Sequence, residues 1–428
     1  HCNGPDSQNT YYCRICNVPA GIHIPGFILT FMRHYGIMAT ALLLVFVSCQ
    51  TMDRAVSPPR GYLVSVLRSQ EFSLHEMIEL TLGDSPEFDF SFLESAAGLF
   101  NPDMRVKVTA ISYNTVDPKG NPVIASGIIV QPLGVVSRGV IHVPPTTPLS
   151  SLEGGSDLLI ITEGVFAFMG FTVIIPDLIG SGISAHVPQP FLFMDNTGRV
   201  CYDMQLAAME FFSAYGAAPL SPEIDIFGYS GGATGAVALL RHIDGLPDSP
   251  VRVKRLIAGA GVYDMRETYK VLKERGFAEY PLVPLMIRSL DYWYDLQLDY
   301  SLVFTGDLLA NREEWLDGTR NASQMRELIS PQLNTYMHPD FFSPESNSEI
   351  KKIENALALH SMKEGWNTRT RIYLGHATDD MSVPFSETQA FFNSMNSKSK
   401  TSMTKGAGGH YHYGIEFFIS GCLFLTAN

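Results

Sequence analysis

Five residues constrain this chain more than any others: Gly228-Tyr229-Ser230-Gly231-Gly232, after the short run Ile224 to Phe227 and before the small-residue run Ala233 to Leu240. The pattern predicts a strand, a turn too tight for ordinary side chains on either side of the serine, and then a helix. Such a turn lifts the serine hydroxyl above the end of its strand. The glycines are needed because neighbouring side chains would clash with strand or helix. Gly231 falls at the first helical position, where its N–H has no intrahelical acceptor and the helix dipole favours a bound anion.

The segments around this joint have matching periodicities. Gly139 to Val143, Phe171 to Ile175 and Ile224 to Phe227 are short, largely apolar runs, the form taken by strands covered on both faces. Helix-length segments, Asp157 to Met169 and Tyr202 to Tyr215, lie between them, and further strands are expected at Arg255 to Ala260 and Arg371 to Leu374. Strands alternating with helices imply an α/β fold with a mostly parallel sheet. Ahead of it, Arg105 to Thr115 and Val123 to Val130 flank Asp117-Pro118-Lys119-Gly120-Asn121 and predict a long β-hairpin. Residues Ser57 to Pro102 are expected to form a Pro-Pro tether and helical turns, around Leu74 to Leu82 and Phe88 to Phe100. From Asp264 to Leu359, Tyr, Trp and Leu recur at helical spacing with no convincing strand, which predicts a helical insertion.

A serine hydroxyl becomes a nucleophile when a base takes its proton, and the base needs an orienting carboxylate. Beyond Ser230, an acidic pair, Asp379 and Asp380, directly follows the expected strand at Arg371 to Leu374. Past that pair the candidate bases are His410 and His412. His410 is preferred because it follows Gly406-Ala407-Gly408-Gly409 and precedes an apolar C-terminal helix, Ile415 to Leu425. A second oxyanion donor is expected from the loop after the Gly139 to Val143 strand. There Pro144 and Pro145 lack an N–H, leaving Thr146 or Thr147.

These residues resemble the α/β-hydrolase superfamily, and more narrowly its secreted lipase and esterase group with a helical cap. Gly228 to Gly232 is similar to the family's G-x-S-x-G turn, and Phe171 to Ser184 to its GYxVxxPDxxGxGxS segment, in which Asp177 reads as structural. His376 to Pro384 is similar to the H-G-x-x-D-x-x-V-P acid loop, whose register selects Asp380 over Asp379. The resemblance covers residues 104 to 428, and the 150-residue separation of Ser230 and Asp380 fits a cap insertion. It implies a core of residues 104–263 and 360–428, with a cap of residues 264–359. It also implies a two-step acyl-enzyme reaction on carboxylic esters. In it Ser230 attacks, His410 relays the proton, Asp380 orients His410 and the Gly231 N–H binds the oxyanion. No metal or organic cofactor is implied. A serine peptidase of the same fold, or a surface-binding lipoprotein with a degenerate site, are the competing readings. Within the cap, Pro281 to Ile287 and Tyr292-Trp293-Tyr294 are apolar enough to line an acyl pocket or to form core.

The beginning of the chain is of another kind. It opens on His1, and Met32 to Ser48 has the form of a signal peptide: Arg33 and His34, then an 11-residue low-polarity run from Ile37 to Val47. Spanning a bilayer takes roughly 20 residues. The run leads to Phe46-Val47-Ser48-Cys49, which resembles a bacterial lipobox with Cys49 as the lipidated residue. The mature chain is therefore expected to start at 49, with residues 49–103 as tether and helical segment. It would be carried across the inner membrane and held by lipid on the cell envelope, at the outer membrane. Cys13-x-x-Cys16, with Cys2 and His23 nearby, lies upstream of that cleavage, and one CxxC without a matching pair is a weak zinc signal. Cys201 and Cys422 would then remain, able to pair only with each other. The formal net charge of −13 argues against nucleic acid as a partner.

Overall fold

In the computed structural model, residues 61–82, 99–146, 148–159, 162–216, 218–343, 345–395 and 399–426 are described. The signal segment 32–48, Cys49, Cys2, Cys13, Cys16, His23, Thr147 and most of the helix expected at Phe88 to Phe100 lie outside these residues.

Nine strands join in one sheet: β1 (Leu63–Ser73), β2 (Arg105–Val116), β3 (Pro122–Pro132), β4 (Val140–His142), β5 (Thr172–Pro176), β6 (Glu223–Tyr229), β7 (Arg252–Gly259), β8 (Arg371–Ala377) and β9 (Lys400–Gly406). Their order is β1-β2-β3-β5-β4-β6-β7-β8-β9. β1, β2, β3 and β5 pair antiparallel, and every pairing from β5 onward is parallel. The chain passes from β4 outward to β5 and then crosses back to β6 on β4's other side. That reversal opens a crevice at the carboxyl ends of β4 and β6, the place where open α/β sheets carry their sites.

The sheet separates two apolar cores, and successive residues divide between them as a pleat requires. Ile174, Ile226 and Leu256 face one; Val173, Phe227 and Ile257 face the other. The first core is covered by α2 (Met194–Tyr215) and α3 (Gly231–Asp244), through Met204, Ala207, Val237 and Leu240 among others. The second is covered by α10 (Gly409–Thr426), through Phe417, Cys422 and Leu425, and by Met77 of α1 (Leu74–Leu82). Between β7 and β8 the chain forms α4 (Met265–Arg275), α5 (Leu282–Tyr294), α6 (Gly306–Trp315), α7 (Ala322–Leu328) and α8 (Ser348–Leu357), while α9 (Phe385–Met395) follows β8. Asp264 caps α4 by accepting from the Arg266 and Glu267 amides, and Gly276 at φ 66° ends it.

Several expectations need correction. Residues 63–73, expected within a tether and helical segment, form the edge strand β1. All but one of its residues are at least partly exposed, Phe72 being the buried one, so no alternation marks it as a strand. β9 was not anticipated either, because an edge strand of sequence KTSMTKG is too polar to signal burial. The helix expected at Asp157 to Met169 is instead a short turn at Gly155–Leu158 and a 3-10 helix at Thr162–Met169, interrupted by Leu159 at φ 60°. α2 begins eight residues before the expected Tyr202, since no side chain caps its start at Phe193. Cys201 and Cys422 are buried, unpaired, and in opposite cores. No described helix is long and apolar enough to cross a membrane.

Candidate active site

Ser230 stands at the carboxyl end of β6 with φ 54° and ψ −127°, and α3 begins at the next residue. A non-glycine residue held there costs on the order of 1–3 kcal/mol, so its surroundings must enforce it. They do. The Ser230 N–H donates to Gly259 O of β7 at 2.8 Å, and its carbonyl accepts from the Ala233 and Thr234 amides. Turn closure also requires the flanking glycines: a Cβ on Gly228 would lie 2.2 Å from Gly232 O, and one on Gly232 would lie 2.6 Å from Pro144 O.

Ser230 Oγ lies 2.9 Å from His410 Nε2, and His410 Nδ1 lies 2.6 Å from Asp380 Oδ2. An ionised carboxylate only accepts, so Nδ1 carries the ring proton and bare Nε2 receives the serine's hydrogen bond. Asp380 is 2% exposed. Burial opposes its ionisation, but hydrogen bonds and charge from His376 and His410 outweigh burial and hold the carboxyl well below the usual carboxylate range. Its other oxygen accepts from the Ser382 and Val383 amides at 2.9 and 2.8 Å. His376, wholly buried on β8, is a second imidazole on Asp380. Its Nε2–H is shared between Asp380 Oδ2 and Val383 O, each at 3.1 Å, while Thr388 Oγ1 donates to Nδ1 at 2.7 Å.

The neighbouring candidates are settled by position. His412 is 71% exposed and faces Glu416 at 3.7 Å, far from this relay's geometry. Asp379 is exposed and accepts from the Gly408 and Gly409 amides at 3.0 Å each, tying the approach to His410. His410 sits in the first turn of α10, where the sequence suggested a flexible glycine loop, and Tyr229 Oη donates to its carbonyl at 2.5 Å. Gly231 leads α3 as expected. Thr146, the described candidate for the second donor, follows Pro144 and Pro145, whose carbonyls pack against Gly232 at the turn. Asp177 is a buried hub, accepting from Ser126 Oγ at 2.6 Å and the Ser156 amide at 3.3 Å. The Pro281 to Ile287 stripe is core: Val283, Met286 and Ile287 are buried with Leu290 and Trp293, and the acyl-lining alternative is not needed to explain them.

No family model matches the chain, and no curated protein matches it in sequence. Solved structures do. The rice cell wall degrading esterase LipA of Xanthomonas oryzae superposes with a TM-score of 0.69 at 19% identity, over 86% of this chain and 98% of its own. A Legionella pneumophila protein assigned as a hydrolase gives a TM-score of 0.69 at 18% identity, over 86% of this chain and 100% of that one. Candida antarctica lipase A gives 0.56 at 12% identity, over 85% and 83%. The chain has the α/β-hydrolase fold. At this site the residues that the sequence left unassigned are His376 and Tyr229. His376 was visible as the first letter of the acid-loop motif, but nothing in a linear motif says that it turns back onto Asp380. Tyr229 carried no signal, since its partner lies far away in sequence.

Proposed function

We propose that this protein is a serine hydrolase that cleaves carboxylic esters by way of an acyl-enzyme. One observation carries the reading: an unbroken hydrogen-bonded chain from Ser230 through His410 to buried, ionised Asp380, at the switch point of the sheet. In this reading His410 takes the Ser230 proton as Oγ attacks the ester carbonyl. The same imidazole then returns that proton to the departing alkoxide. Water enters, loses a proton to His410, and displaces Ser230 from the acyl group. Asp380 fixes the His410 tautomer and stabilises the imidazolium. The Gly231 N–H, free of an intrahelical acceptor at the start of α3, donates to the tetrahedral oxyanion. The esterase and the lipase among the structural neighbours support ester substrates over peptides.

The lipobox-like Cys49 supports a further part of the reading, a lipid-anchored protein on the bacterial cell envelope. The test of activity is hydrolysis of short- and long-chain p-nitrophenyl esters, with p-nitroanilides for the peptidase alternative and Ser230→Ala as control. Ester cleavage that the variant abolishes supports the proposal. Cleavage of anilides alone, no turnover, or full activity in the variant overturns it.

A further inference from the structure

A cavity of about 240 Å³ opens between the loop after β4, the loop after β5 and the start of α7. Its polar wall is made by Thr146, Glu153, Glu163, Asp177 and Ser181, and Ala322 closes it from α7. Two links run from it toward the relay. Pro145 and Thr146 belong to the loop that rests on Gly232, where a Cβ would meet Pro144 O at 2.6 Å, two residues after Ser230. From the other direction, Arg326 lies one turn along α7 from Ala322, with its guanidinium 5.4 Å above the Tyr280 ring. That ring is 6.0 Å from Tyr411, the neighbour of His410. The cavity wall thus shares the loop after β4 with the turn that carries Ser230.

The chemistry of the wall is one-sided. Among the described residues three carboxyl residues line it, with no Lys, Arg or His. Burial raises the carboxyls of Glu163 and Asp177, and no cationic group acts on either. Ser181 is 1% exposed, and its Oγ has no hydrogen-bond partner among the described residues. A group carrying several N–H donors and a positive charge would meet the Ser181 hydroxyl and acceptor positions that remain on the carboxyls, since carboxylates and a hydroxyl oxygen all accept. The absence of an aromatic ring from the wall removes the usual device for a quaternary ammonium. Leu149 and Leu178 leave room for an alkyl stem.

We infer that this cavity receives a primary ammonium carried on the acyl or the alkoxy chain of the ester substrate, an inference that rests on the esterase reading above. Binding leaves the substrate's bonds unchanged; the ammonium positions the scissile carbonyl. The test compares kcat/KM for isosteric pairs at about pH 7.5: p-nitrophenyl 6-aminohexanoate against p-nitrophenyl heptanoate, and 6-aminohexyl acetate against heptyl acetate. The ammonium member of one pair is expected to lead by about tenfold, with a lead that shrinks as salt is raised. Glu163→Gln and Ser181→Ala should bring the ratio toward one, and using a ratio cancels any general loss of catalysis or folding. Equal or reversed preference in both pairs overturns the inference, as does a preference that both variants keep while neutral esters are still cleaved. Failure to cleave any of the four esters overturns the esterase reading instead, and this inference with it.

Discussion

Replacing Asp380 with Asn removes one charge and turns one acceptor oxygen into a two-proton donor. Asp380 accepts four hydrogen bonds, two backbone amides on Oδ1 and two imidazoles on Oδ2. If the Asn oxygen keeps the Ser382 and Val383 amides, its NH2 faces His376 Nε2–H and His410 Nδ1. His410 must then present a bare Nδ1 and carry its proton on Nε2, the nitrogen that should take the proton of Ser230. If the amide is flipped, its NH2 faces two backbone N–H groups instead, at a cost of about 1–3 kcal/mol for each buried donor left unpaired. The productive tautomer is therefore available only in the costly flipped state. The expected fall in kcat/KM is about 10⁴-fold, roughly 5 kcal/mol of transition-state stabilisation. The assay is hydrolysis of p-nitrophenyl butyrate between pH 5 and 9, with circular dichroism to verify folding. Because Asp380 stays ionised far below that range, no part of the wild-type acid limb should trace to it. A folded Asp380→Asn protein with kcat/KM within tenfold of wild type would refute the relay.

His376→Ala should lower kcat by about tenfold and leave KM nearly unchanged, because it loosens Asp380 without touching substrate; equal activity would reduce His376 to a packing residue. Arg255→Met strands the Asp225 carboxylate, 5% exposed and paired at 2.8 and 2.7 Å, and frees the Phe424 and Leu425 carbonyls at the end of α10. Urea unfolding should show a loss of about 3–5 kcal/mol, and a loss under about 1 would contradict that account. Burial raises the Glu387 carboxyl to about 7 against hydrogen bonds from the Tyr263 and Asp264 amides and from Thr268. Its folded value lies above its unfolded one, so the native state binds the extra proton and stability falls as pH rises from about 4.5 to 7. Between pH 5 and 8 the wild type should lose about 2–3 kcal/mol more stability than Glu387→Gln, and parallel pH profiles would count against it.

The part of the fold that carries the site was legible because its strands are buried on both faces and each ends in a turn with special backbone demands. Ser230 is the clearest instance: a residue at φ 54° between glycines is written in the sequence as those glycines. The sheet's two edges were not legible. β1 and β9 have little or nothing to bury, so hydrogen bonding alone defines them and neither shows in a hydrophobic pattern. The site divides in the same way. Ser230, Asp380 and His410 could be ordered along the chain, but the support around them depends on contacts that no spacing encodes. These include His376 folding back on Asp380 and Tyr229 reaching the His410 carbonyl 181 residues away.

The most direct measurement is reaction of the purified chain with a fluorophosphonate, read by intact mass and by peptide mapping. Only a serine activated by its base and facing an oxyanion site reacts readily with this electrophile. The account predicts one adduct per chain, on Ser230, with labelling abolished in Ser230→Ala and slowed by orders of magnitude in His410→Ala. No adduct, an adduct on another serine, or undiminished labelling of His410→Ala would contradict it.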